Sequence, residues 1–116
     1  MFRRFVLCTM IPGFLAISPV LAADPIQGSW TTESGETASI APCGGGNFCV
    51  TLKTGTYAGT TIGKLANTGG TYKGKITDPA EDKTYNGKAS ISGATLKMSG
   101  CVLAGLICRS QNWKKQ

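Results

Sequence analysis

The side chains best suited to chemistry in this sequence are its cysteines, which fall into two close pairs. Cys43 and Cys49 enclose five residues, Cys101 and Cys108 enclose six, and Cys8 stands apart near the start. An even number of cysteines in a short exported chain is typical of disulfides, and each pair brackets a turn-like loop. We predict the nearest-neighbour bonds. The other connectivities remain open, and a zinc site competes, although its ligand spacing would be loose and the chain has no His.

The remaining polar groups do not form a catalytic constellation. The absence of His removes His-based triads, most zinc sites and the usual general base. Asp78, Glu81 and Asp82 lie close together, but their spacing fits no EF-hand, and flexible side chains on one turn are poorly placed for a glycosidase. Gly44-Gly45-Gly46 lacks the Gly-Lys-Ser/Thr of a phosphate loop and indicates a turn. We therefore predict no enzyme, no catalytic residue, no metal and no cofactor.

The N-terminus has the pattern of an export signal. A cationic start at Arg3 and Arg4 precedes a mostly apolar stretch over 5–21, and Ala22 completes a cleavage pattern of small residues. We expect a signal peptide over 1–22, with cleavage after Ala22 or one residue later. A retained anchor is the alternative, but the stretch is interrupted by Pro and Gly and falls short of the ~20 residues that span a bilayer. The expected location is the bacterial periplasm or the exterior, without a membrane span after cleavage.

The expected mature chain, 23–116, is large enough for one small domain. It holds only 14 Val, Ile, Leu and Phe against 15 Gly and 13 Thr, which argues against a helical bundle or a large enzyme core. Apolar and polar residues alternate over short runs bounded by turn residues, and this pattern predicts strands. Eight such runs at about 12 residues each indicate a small antiparallel all-β barrel or sandwich. The runs lie near 28–33, 37–42, 48–54, 60–66, 71–77, 84–91, 94–101 and 109–114.

The cysteine pairs also predict strand registers. If bonded cysteines lie opposite each other, the neighbouring cross-strand pairs keep the apolar alternation on one face, and both bridges lie on the outer face. The predicted pairs are Ile40 with Leu52, Pro42 with Val50, Leu96 with Trp113, and Met98 with Gln111.

Several motifs, in order, resemble a known family. They are Gly28-Ser29-Trp30, Cys43, Cys49, Ile76-Thr77-Asp78-Pro79, Lys83-Thr84-Tyr85, Leu96, Gly100-Cys101 and Gln111-Asn112-Trp113. The pattern is similar to the small secreted bacterial family called domain of unknown function 2147, over nearly all of the mature chain. The resemblance implies an eight-stranded lipocalin-like barrel with Gly28, Trp30 and Trp113 at a plugged end, and it carries no agreed activity.

Two departures from that family pattern concern single positions. Val50 follows the second cysteine where many members have Gly, and Lys115 stands where many have Arg two residues after the C-terminal Trp. An ammonium group stacks on an indole less well than a planar guanidinium. The segment between Leu52 and Thr71 is also short for the family, which suggests a smaller cavity.

The loop from Val102 to Ile107 has no polar side chain, whereas hairpin tips are normally polar. Leu103, Leu106 and Ile107 would either fold inward as a lid, which is the simpler interpretation, or form an apolar lip at the barrel mouth. Small inward positions suggest a cavity, and Met98, Tyr72 and Tyr85 are further candidate ligand contacts. The small positions are Gly74, Gly87, Ala89 and Gly100.

Four lysines are predicted to share an outer face: Lys73, Lys75, Lys88 and Lys97. A turn at Ser92-Gly93 would place Lys88 directly opposite Lys97. Clustered like charge suggests an anionic partner such as lipid headgroups or cell-wall polymer, although lysine also keeps exposed strands soluble. Nucleic acid is not expected, because aromatic residues do not interleave with the basic ones.

The sequence thus favours an exported, non-catalytic protein that binds a small apolar or amphipathic ligand in the periplasm. The alternative is a structural or interaction module of the cell envelope, in which the basic face and the apolar loop dock to envelope components or to a protein partner.

Overall fold

A computed structural model describes residues 24–116, with only the backbone of Ala104. The predicted export signal over 1–22 and its cleavage site at Ala22 lie outside the described residues. Within the described range no helix has the length and apolar character needed to cross a bilayer.

Eight antiparallel strands form a closed barrel in which each strand pairs with its neighbours in sequence and the last pairs with the first. The strand count confirms the expectation from the alternation, and the barrel confirms the expectation from the family resemblance. One 3-10 turn, Leu103–Gly105, joins the last two strands. The strands are β1 (Gly28–Thr31), β2 (Thr37–Gly44), β3 (Asn47–Leu52), β4 (Thr61–Thr68), β5 (Thr71–Asp78), β6 (Lys83–Ser92), β7 (Thr95–Val102) and β8 (Ile107–Lys115).

The barrel interior is filled by the apolar residues of the alternating pattern. The largest fully buried side chains are Trp30, Ile26, Ile40, Leu65, Leu96 and Val50. Ile26 precedes the first strand, so the segment before β1 also contributes to the core. Since successive strand residues point to opposite faces, the lysines between these positions lie on the outer wall.

Three of the four small inward positions serve close packing and not a cavity. A Cβ at Gly74 would overlap the carbonyl oxygen of Lys64, so β4 and β5 approach too closely there for any side chain. Gly87 lies opposite Gly74, and Leu65 and Ile76 already pack over it. Ala89 is fully buried in the core. The cavity expected from these small residues therefore lies elsewhere; of the four, only Gly100 lines it.

Both predicted disulfides are present, Cys43–Cys49 and Cys101–Cys108. The register of the second hairpin is confirmed, because Cys101 lies opposite Cys108. The matching pairs in the same ladder are Leu96 with Trp113 and Met98 with Gln111.

The predicted register of the first hairpin is wrong. Ile40 lies opposite Val50 and not Leu52, and Pro42 lies opposite Phe48. A bulge between Pro42 and Gly44 holds Cys43 out of the regular ladder, so its bond to Cys49 does not mark a directly opposed pair. Each residue of β2 pairs with a β3 residue two positions before the predicted one. Because the side-chain period of a strand is two, the side chains in the regular ladder keep their predicted faces.

The turn between β6 and β7 also differs from the prediction. Ser92 pairs with Thr95, so the turn residues are Gly93 and Ala94. Gly93 has φ 59°, and a two-residue hairpin turn that takes glycine first matches the twist of the flanking strands. Lys88 consequently lies opposite Ser99, and the predicted pair of Lys88 with Lys97 is wrong.

Candidate functional site

The two ends of the barrel differ in how they are covered. The short turns after β2, β4 and β6 lie at one end, together with the start of β1 and the end of β8. The longer connections lie at the other end, which we call the mouth: 32–36, 53–60, 79–82 and 103–106. A cavity of about 360 Å³ opens there.

The closed end is formed around Trp30. Its indole N–H donates to the carbonyl oxygen of Ile26 over 2.9 Å, and the ring is almost fully buried. The Lys115 ammonium lies 4.7 Å from the ring centroid and donates to the carbonyl oxygen of Gln27 over 2.7 Å. Any Cβ at Gly28 would come within 2.7 Å of that ammonium nitrogen. Gly28 therefore leaves room for the cation over the indole.

Tyr72 also lies at the closed end, away from the cavity. Its hydroxyl donates to the carboxylate of Asp24, which also accepts from the Ile26 N–H over 3.2 Å and from the Asn67 amide over 3.4 Å. The rings of Phe48 and Tyr72 pack nearly perpendicular to each other, with their centroids 6.1 Å apart. The sequence grouped Tyr72 with possible ligand contacts, but it secures the segment before β1.

Burial and hydrogen bonding at this contact shift the pKa values of both Asp24 and Tyr72. Burial alone would raise the pKa of Asp24, but the three hydrogen bonds outweigh it and lower that pKa below its usual 3.8. Burial raises the pKa of Tyr72 to about 12, with contributions from the hydrogen bond to Asp24 and from its charge. The contact therefore joins a neutral phenol to an ionised carboxylate at neutral pH.

The mouth cavity has an apolar floor and a polar rim. The floor includes Met98, as expected, and Trp113, which the resemblance had grouped with the plug. Both side chains are buried. Two tyrosines, Tyr57 from the loop after β3 and the expected Tyr85 from β6, form part of the wall. Leu52, Ile62 and Ile76 also belong to the apolar lining.

The polar rim comes from loops and from the inward face of β8. Arg109 lies opposite Gly100 on that face, and Gln111 accepts a hydrogen bond from the Trp113 indole over 2.9 Å. Asp78 ends β5, and its carboxylate accepts from the Ala80 N–H over 2.9 Å. Together with Glu36, these groups give the rim both signs of charge around an apolar interior. Such a site can hold the apolar part of a molecule inside and its polar end at the rim.

Sequence reasoning missed the rim residues Arg109 and Glu36. A signal for Arg109 was present, because Arg109, Gln111 and Trp113 alternate along the last run as inward positions do. Glu36 lies in a loop, where no periodicity assigns a direction to the side chain.

The apolar loop does not cover the cavity, so the lid interpretation is wrong. Leu103 is 65% exposed, Leu106 84% and Ile107 55%. The Cys101–Cys108 bond lies at the base of the loop. None of the three apolar side chains lines the mouth cavity. They project from the same end of the barrel into solvent.

The four predicted lysines are exposed on the outer wall, as the alternation indicated. Lys73 lies directly opposite Lys88, and Lys75 lies opposite Lys64, which the sequence analysis did not single out. Lys75 also donates to the side-chain oxygen of Asn86 over 2.6 Å. Lys97 lies on β7 opposite Ser90, further from the other lysines than predicted. The basic face is therefore centred on β4, β5 and β6.

The candidate calcium turn does not bring enough ligands together. Across residues 24–116, no group of three or more His, Cys, Asp or Glu side chains is arranged to hold a metal ion. Asp78 instead turns its carboxylate onto its own loop.

An eight-stranded antiparallel barrel with one covered end and one open end is consistent with a lipocalin-like protein. The chain belongs to the bacterial family described as uncharacterized protein conserved in bacteria (DUF2147), whose model matches residues 28–115. No curated protein and no solved structure matches the chain. The matched range runs from Gly28 to Lys115, the two residues that meet over Trp30. The two disulfides indicate an oxidising, extracytoplasmic environment.

Proposed function

We propose that this protein is a non-catalytic binding protein of the bacterial periplasm that holds a small apolar or amphipathic molecule in the mouth cavity. The observation that carries the proposal is the cavity itself, with about 360 Å³ of space over an apolar floor. Ligand sites range over roughly 300–1,000 Å³, so the fitting molecules are small. Disulfides favour export, and the lack of His fits a role without acid–base catalysis.

Native mass spectrometry of protein purified from the periplasm tests the proposal directly. We expect an added mass that is lost on gentle denaturation. Calorimetric titration with octanol then tests whether the site binds an apolar chain with an uncharged end. Titration with octanoate tests the same chain length with a charged end. If neither compound binds and the native protein carries no added mass, the binding proposal is wrong.

Tyr57→Ser locates the binding site. Tyr57 lines the cavity from a loop, so removing its ring takes away apolar contact without opening a strand. We expect the affinity for octanol to fall about tenfold, because the variant loses the apolar contact that one aromatic ring makes with the bound molecule. Tyr72→Phe is the matched control, because Tyr72 lies at the closed end and outside the lining. Equal weakening by both variants would contradict binding in this cavity.

A second candidate function is docking to an anionic envelope surface. The observation that favours it is the exposure of Leu103, Leu106 and Ile107 at one end of a basic barrel. Apolar side chains at a loop tip can enter a lipid interface while lysines attract its headgroups.

The paired substitution Leu103→Ser with Leu106→Ser tests this docking. Because both side chains are largely exposed, we expect an unchanged melting temperature and a loss of sedimentation with anionic phospholipid vesicles. Changing Lys73, Lys75, Lys88 and Lys97 to Gln should remove the salt-dependent part of the binding. Unchanged vesicle binding in both variants would exclude the surface role.

A further inference from the structure

The last strand has an edge that the first strand leaves largely open. β1 has four residues and β8 has nine. The two pair only at Trp30 with Lys115 and at Thr31 with Lys114. From Ile107 to Asn112 every residue of β8 is exposed. No strand among residues 24–116 pairs with this edge beyond Thr31.

The backbone groups that face the open edge follow from the hydrogen bonds at the end of β8. Lys115 donates its N–H to Ala94 beside β7, and Gln116 donates its N–H to Ser29 of β1. Alternate residues of an antiparallel strand direct their N–H and C=O groups to the same side. Asn112, Ser110 and Cys108 therefore present their backbone groups to the open edge.

One of these donors is already occupied by a carboxylate of the chain. The Asn112 N–H donates to Oε2 of Glu33 over 2.7 Å. Glu33 lies in the loop after β1, so a side chain takes the place that a strand would occupy. An N–H group of the edge thus donates to an anionic oxygen at the point where main-chain pairing stops.

Apart from Glu33, which caps Asn112, the charged residues beside the edge on β7 and β8 are basic, and the mouth end of the edge is apolar. Lys114 and Lys97, which lies opposite Asn112, are on the outer face, whereas Arg109 is on the inward face at the cavity rim. Leu106 and Ile107 are exposed beside the mouth end of the strand. Charge complementarity therefore favours an acidic segment with an apolar residue at one end. A second copy of this chain carries the same positive excess, with a net charge of +6, and fits less well.

We propose that the β8 edge from Cys108 to Asn112 binds an extended acidic peptide segment of another protein, which adds as a further strand. Main-chain hydrogen bonds would supply the affinity, and the basic and apolar neighbours would supply the preference. The edge borders the mouth cavity through Arg109 and Gln111, but its backbone groups at Cys108, Ser110 and Asn112 can pair whatever occupies the cavity.

The direct test uses an eight-residue peptide in which Glu and Val alternate. We expect it to bind by calorimetry and to shift the backbone amide NMR signals of Cys108, Ser110 and Asn112 more than those of β5. A peptide with Lys in place of Glu should bind at least about tenfold more weakly, because its charges, placed on the outer face, meet the like charges of Lys114 and Lys97. N-methylation of the peptide amides that face β8 should abolish binding, since it removes the donors of the ladder.

Two variants of the protein separate main-chain pairing from general attraction. Ser110→Pro removes one edge N–H, and proline is tolerated on edge strands, so we expect about tenfold weaker binding. Ser110→Ala is the matched control, because it loses only the hydroxyl contact with Ser99. Glu33→Ala frees the Asn112 donor and should strengthen binding several-fold.

Three outcomes would overturn the proposal: equal binding of the Lys peptide, equal binding of the N-methylated peptide, or amide shifts in β8 that depend on protein concentration alone. The last would mean that the edge pairs with a second copy. If Ser110→Pro fails to fold, the N-methylated peptide still decides the question with the natural protein.

Discussion

At the scale of single residues, the contact between Asp24 and Tyr72 joins the segment before β1 to the wall of the barrel. Asp24 accepts three hydrogen bonds, from Tyr72, Ile26 and Asn67. Ile26 beside it is fully buried and accepts the bond from the Trp30 indole. One carboxylate therefore holds in place the segment that covers the closed end.

Tyr72→Phe should destabilise the protein in a way that depends on pH. Because the pKa of Asp24 is lowered in the folded protein, Asp24 stabilises the fold at pH values above its pKa in the unfolded chain, near 3.8. This stabilisation is lost as the pH falls through the pKa of Asp24 in the folded protein. The raised pKa of Tyr72 means that its contribution is present below 10.0 and is lost as pH rises towards about 12. We expect a cost of about 1–2 kcal/mol at pH ~7 in urea unfolding.

The difference in free energy of unfolding between the natural protein and the Tyr72→Phe variant should be constant from pH ~4 to pH ~10. It should become smaller below pH ~4 and above pH ~10. Asn67→Ala is the control, because it removes only the longest of the three bonds and should cost less. A gap that is the same at pH ~3 and pH ~7 would show that the carboxylate does not mediate the effect.

At the scale of the strands, the separation of β4 and β5 is set by a missing side chain. Gly74 faces the backbone of Lys64 at a distance that no Cβ can accept. Gly87 lies beside it on β6 and is packed under Leu65. A pair of glycines thus lets three neighbouring strands come close and leaves the buried space to Leu65.

Gly74→Ala should therefore be severely destabilising. The added methyl group meets backbone, which cannot move aside as a flexible side chain can, so we expect a loss of about 3 kcal/mol or a failure to fold. Gly100→Ala is the matched inward control, because its methyl group would meet the Tyr85 side chain at 3.2 Å. Urea denaturation of both variants checks this; equal costs would contradict the backbone clash.

The strands themselves were largely predictable, because alternation is a local property of the chain. The second hairpin was placed correctly by its cysteines, since no irregularity lies between Cys101 and Leu96 or between Cys108 and Trp113. The first hairpin was not, because a bulge beside Pro42 offsets Cys43 from its partner. Proline has no ladder donor there, but the sequence does not say how the chain adjusts.

At the scale of the whole molecule, three features gather at or beside the mouth. The cavity opens there, the apolar side chains of Leu103, Leu106 and Ile107 project from it, and the open edge of β8 begins there. The open edge arises because β1 ends at Thr31 and leaves β8 to continue without a partner strand. The barrel is consequently well closed at the Trp30 end and loosely closed at the other.

The candidate site was less predictable than the fold. Met98 and Tyr85 were expected to face the interior and do line the cavity. Tyr72 was also expected there, but it lies at the other end of the same inward face, which alternation alone cannot resolve. Trp113 was expected in the plug but lies on the cavity floor, and alternation could not resolve this either, since it does not say at which end of the barrel an inward residue lies.

The sequence by itself determined the number of strands and the face of most strand side chains, and it favoured the correct pairing of the cysteines, because these depend on neighbours close along the chain. The tertiary structure alone decided the offset at Cys43, the approach of the Lys64 backbone to Gly74, the exposure of Leu106 and the open edge beside Ser110. The open edge depends on how the first and last strands meet when the barrel closes, and such a meeting of distant segments leaves no periodic trace in either one. The other three depend on the local path of the backbone, which the alternation of apolar and polar residues does not encode.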